Sequence, residues 1–129
     1  MLIRFFEWVK KCKSKTFVCQ NPQFDHAFLE HKSRKYNLDF PTGWRAFDMH
    51  TLSHYKYFLI NNAFVLDNGK SDFGLSKSLE FCGMKDERNF HNALEDAKLT
   101  AEVFSRIVYG KNLLQDYKKF KIPSYLIKK

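Results

Sequence analysis

The chain has 129 residues, enough for one domain with its own core. Hydrophobic residues make up 44% of it, with 14 Phe, and no apolar run is long enough to span a membrane. The start is too charged for a secretory signal, and an odd three cysteines, Cys12, Cys19 and Cys82, read as reduced thiols of a cytoplasmic protein. The formal net charge of +8 favours an anionic partner, of which nucleic acid is the commonest. A lysine-rich solvated surface would give the same number.

Leu2, Phe5, Phe6, Val9 and Cys12 recur at helical spacing, which predicts an amphipathic helix over 3–13. Thr16-Phe17-Val18-Cys19 is a short β-prone run without polar alternation, as expected of a buried parallel strand. Asn21-Pro22 supplies an N-cap and a proline at the first helical position. The helix that follows carries Phe24, Phe28, Leu29 and Tyr36, with Asp25 in its first turn. Sites in open α/β sheets gather at such carboxyl ends of strands.

Residues 37–44 read as a loop, 45–48 as a second short strand, and 50–61 as a helix with Leu52, Tyr55, Phe58 and Leu59 on its apolar face. Asn68-Gly69 marks a turn, and a short helix ends at Gly83. The last helix is predicted over 93–109. Asn92 is its N-cap, Glu95 the reciprocal member of a capping box, Gly110 its stop, and Leu94, Ala97, Ala101, Phe104 and Val108 its apolar face. His91 precedes its first turn and Asp96 lies inside it. The tail interleaves lysines with Tyr117, Phe120 and Tyr125, a composition that could track a single nucleic-acid strand by stacking. His50 and His54 stand at a spacing that can bind zinc, but they read more simply as surface histidines.

Two helix starts therefore present carboxylates, Asp25 and Asp96, and one adds a histidine, His91. Hard oxygen ligands of this kind suit Mg²⁺ or Mn²⁺. Two such ions can serve phosphodiester hydrolysis, with a histidine taking the proton of the attacking water.

The stretch Asn21-Pro22-Gln23-Phe24-Asp25-His26-Ala27-Phe28-Leu29 resembles the second motif of the DnaQ-like (DEDDh) 3′-5′ exonucleases. His91-Asn92-Ala93-Leu94-Glu95-Asp96-Ala97 resembles the third. The likeness runs from about Phe17 to Val108. It implies an RNase H-like α/β fold, with a short parallel sheet flanked by helices, and removal of nucleotides from single-stranded DNA or RNA 3′ ends with Mg²⁺ or Mn²⁺ in a two-ion site. In that scheme Asp96 and Asp25 are metal ligands, His91 is the general base, and Asn21, Phe28 and Asn92 meet the substrate. The family's first motif, an Asp-x-Glu on an apolar strand, has no counterpart before Phe17. Residues 1–110 are thus expected to be the C-terminal part of an exonuclease domain without its first three strands, and 111–129 a basic extension. Such a domain would bind metal weakly and hydrolyse slowly or not at all. Its exposed sheet edge would invite self-association or a partner chain that completes the sheet. The alternative is an inactive nucleic-acid-binding or assembly module on the same scaffold.

Overall fold

A computed structural model describes residues 1–88, 90 and 92–127. The described residues form a mixed α/β chain with five α-helices and a short parallel two-stranded sheet. The chain divides into two compact units, Met1–Asp48 and Met49–Lys129.

The first unit contains α1 (Leu2–Lys11), β1 (Phe17–Cys19), α2 (Pro22–Lys35) and β2 (Ala46–Asp48). β1 and β2 pair in parallel with Phe17 opposite Ala46 and Cys19 opposite Asp48, so α2 is the crossover that a parallel pair requires. α1 buries Phe6 and Val9 and ends on Lys10 and Lys11, charges that its C-terminal dipole favours. α2 starts where Asn21-Pro22 predicts, but not by the expected cap. Asn21 takes the left-handed conformation at φ 54°, and its side chain makes no capping bond. A residue before proline is pushed out of the helical region, and asparagine tolerates the left-handed one.

The buried face of α2 is polar. It presents His26 and Ser33, while Phe24, Phe28 and Tyr36 point outward. His26 stacks on Trp44 at 4.6 Å between centroids, meets Phe40 edge-on at 4.9 Å, and hydrogen-bonds the Gly43 carbonyl at 3.2 Å. A ring that packs apolar neighbours and still satisfies its nitrogen takes the place a phenylalanine was expected to fill.

The second unit contains α3 (Met49–Asn61), the hairpin strands β3 (Leu66–Asp67) and β4 (Lys70–Ser71), α4 (Leu75–Phe81) and α5 (Ala93–Tyr109). Asn68 and Gly69, at φ 48° and 75°, form the two-residue hairpin turn, where positive φ matches the strand twist. α3 buries Met49, Ser53 and His54, whereas Tyr55 and Leu59 of its predicted apolar face are exposed. Gly83, at φ 72°, closes α4 under the returning tail. A Cβ there would lie 2.6 Å from the Lys121 carbonyl, so no other residue fits.

α5 occupies the predicted span but buries a different face. Leu99, Val103 and Ile107 are buried with Glu102 and Arg106, while Leu94 is 67% exposed. The reason is an ion pair inside the core. Arg106 Nε donates to Glu102 Oε1 at 2.9 Å, and its other nitrogens donate to the carbonyls of Cys82, Tyr117 and Phe120 and to Asn112. Glu102 Oε2 accepts the backbone N–H groups of Leu113 and Leu114 at 2.9 and 2.8 Å. A buried pair survives only when its remaining donors and acceptors are satisfied, and here the chain after Gly110 and the Cys82 carbonyl at the end of α4 supply them. That chain is part of the core: Tyr117 and Leu126 are buried. Tyr117 is therefore not available to stack a base. Among the described residues no helix is long and apolar enough to cross a membrane.

Candidate functional site

In the first unit the carboxyl ends of β1 and β2 are level, because Cys19 pairs with Asp48. The chain then turns sharply at Asn21, whose N–H donates to Asp48 Oδ1 at 3.1 Å. Asp25 follows in the first turn of α2 and is exposed. Burial pushes the Cys19 thiol up to about 12. The Asp25 charge, a hydrogen bond to the Asp25 carboxylate and the Asp48 charge add to this. The thiol therefore stays protonated at neutral pH and is no nucleophile. Asp48 ends β2 opposite Cys19, and Asp25 lies in the first turn of the helix that follows β1. Mg²⁺ is often held by one or two carboxylates and keeps several waters, so the oxygen donors of Asp25 and Asp48 fit such an ion.

The second unit holds Asp96 differently. Arg88 Nη1 donates to Asp96 Oδ1 at 2.6 Å. The same guanidinium grips Asp86 through Nε at 2.8 Å and Nη2 at 2.6 Å, and Nη2 reaches Ser76 Oγ at 3.0 Å. The Arg88 side chain is 10% exposed. Its hydrogen bonds hold the Asp86 carboxyl well below the usual range, and the two carboxylates make Arg88 harder still to deprotonate. A metal ion at Asp96 must compete with this guanidinium. No sequence signal singled out Arg88, which lies in a polar loop without periodicity.

Asn92 caps α5 as expected, its Oδ1 accepting from Leu94 and Glu95 N–H at 3.1 and 3.2 Å. The capping box is not completed as predicted, because the Glu95 carboxylate accepts the Tyr117 hydroxyl at 2.6 Å instead. A side chain of the packed tail outcompetes the local backbone. Asn92 and Phe28 are exposed, as is Asn21. Asp25 belongs to the first unit and Asp96 to the second. His91 lies outside the described residues.

The two histidines of α3 are not a surface pair, since His54 is buried. Val65 N–H donates to His54 Nε2 at 2.9 Å, so the ring hydrogen is on Nδ1, which faces Ser71 Oγ at 2.9 Å. His50 Nε2 meets the same hydroxyl at 2.6 Å. A ring nitrogen that bears hydrogen has no lone pair for zinc, so His54 serves the hairpin. Among the described residues no group of three or more His, Cys, Asp or Glu could hold a metal ion. Comparison of the chain with protein-family models, with curated proteins and with solved structures found no match.

Proposed function

We propose that the chain carries part of a DnaQ-like 3′-5′ exonuclease acting on the 3′ ends of single-stranded DNA or RNA. The observation that carries this reading is that Asp48 ends β2 opposite Cys19 while Asp25 hydrogen-bonds the Cys19 side chain, which brings two hard oxygen donors to the carboxyl ends of the strands, where open α/β sheets place their sites. In the second unit, Asp96 stands in the first turn of α5, after the capping Asn92. Bound Mg²⁺ or Mn²⁺ would neutralise phosphate charge and acidify a water. Asp25 in the first unit and Asp96 in the second are the proposed ligands, with Asp48 a further carboxylate at the strand ends. His91 accepts the proton of the water that attacks the terminal phosphodiester, and the O3′ of the penultimate nucleotide leaves. Further acidic ligands would come from a partner chain or from a second copy.

One observation favours the second reading, a nucleic-acid-binding module without hydrolysis. Arg88 already neutralises Asp96, as a metal would. The two readings part in one assay, incubation of an oligonucleotide with the protein and Mn²⁺. The exonuclease reading expects shortening that falls by roughly two to four orders of magnitude in His91→Ala, the range for loss of a general base, with the unfolding transition unchanged. Tight binding with no cleavage supports the module instead.

A further inference from the structure

α2 carries its rings on the wrong side for a core helix. Phe24, Phe28, Lys32 and Tyr36 fall four apart and so form one row along the helix, about one turn between neighbours. Phe24 is 76% exposed, Phe28 55% and Tyr36 58%. The opposite face, with His26 and Ser33, is the buried one. A groove of about 460 Å³ runs beside the row, lined by Leu2 and Phe5 of α1 and by Phe28, Leu29, Lys32 and Tyr36 of α2. Exposed apolar rows of this kind mark a binding surface.

The charges say what it binds. The Lys32 ammonium stands 5.4 Å from the Phe28 ring centroid and that of Lys35 stands 5.7 Å from the Tyr36 ring. Each cation is thereby paired with a stacking surface, and Glu30 is tied to Arg34 at 2.6 Å, so that Asp25 is the acidic side chain beside the Phe24 end of the row. A single nucleic-acid strand needs both, flat faces for its bases and ammonium groups for its phosphates. We infer that the α2 row and the α1–α2 groove are the track of a single-stranded nucleic acid. This rests on the nucleic-acid reading above and gives that reading a place.

The test is fluorescence anisotropy of a labelled oligo(dT) with the full chain, without divalent metal so that cleavage plays no part. Phe28→Ala and Tyr36→Ala are each expected to weaken binding about tenfold, and Phe28→Leu to do nearly the same, because it keeps apolar area and loses the stacking face. Lys32→Gln should lower the slope of log affinity against log salt by about one contact. All three side chains lie outside the core, and circular dichroism of each variant checks that the fold is kept. Wild-type binding that the ring variants leave unchanged overturns the track while the nucleic-acid reading stands. No wild-type binding overturns both. A concentration-dependent dimer that Phe28→Ala abolishes would show that a second copy occupies the groove, and would also overturn the track.

Discussion

Asp25 and Asp96 occupy the same local position, the first turn of a helix, where the dipole favours an anion. Their surroundings differ. Asp25 is exposed and neighbours a half-buried thiol, with Asp48 at the end of the paired strand. Asp96 is half-buried and ion-paired to Arg88, which a second carboxylate, Asp86, also holds. One sequence pattern thus yields an open carboxylate in one unit and a neutralised one in the other. What decides is a loop residue outside both helices. The second unit repeats the device more deeply at Glu102 and Arg106, which lie at 0% exposure.

If ionic partners organise the second unit, removing its buried cation must be costly. Arg106→Met leaves Glu102 in the core without its counter-ion and is expected to lose about 3–5 kcal/mol in urea unfolding. A loss below about 1 kcal/mol would refute the contrast between the units. Arg88→Ala is expected to cost less, about 1–3 kcal/mol, since its carboxylates are partly solvated. The same variant should bind Mn²⁺ more tightly by calorimetry if Arg88 is what occupies Asp96, and unchanged affinity would place no metal there. It should also change the acid limb of stability. Asp86 has a lowered pKa in the folded chain, so its contribution is full above the ordinary carboxylate range near ~4 and is lost as pH falls below it. In Arg88→Ala the stability curve below ~4 should flatten.

The smallest effect probes the first unit. Asp25→Asn removes an anion that helps raise the Cys19 thiol, so alkylation of Cys19 at mildly alkaline pH should quicken by roughly three- to tenfold, read by peptide mass spectrometry. Equal rates in Asp25→Asn and wild type would separate Asp25 from the strand ends and remove the geometric support for a site there.

The elements were largely legible in the sequence because local chemistry sets them. Pro22 starts α2, Asn92 and Gly110 bound α5, and Asn68-Gly69 turns the hairpin. The faces were not. Periodicity reads any apolar stripe as the buried one, but Glu102 and Arg106 can enter a core when another segment satisfies them, and that segment lies beyond the helix. His26 and His54 escaped for the same reason, since a neutral imidazole with a bonded nitrogen packs like a ring. Of the candidate site, the positions of Asp25, Asn92 and Asp96 at helix starts could be read directly. Arg88 could not, because its role depends on Ser76 and Asp96, from two different helices, converging with the nearby Asp86 on one guanidinium.

The most direct measurement of the exonuclease reading labels one single-stranded oligonucleotide at its 5′ end and follows it on a denaturing gel with Mn²⁺, using the wild type and His91→Ala. That reading requires a ladder that shortens step by step from the 3′ end and disappears in the variant. An intact oligonucleotide, bound by a protein that is still folded, would contradict it and leave the non-hydrolysing module in its place.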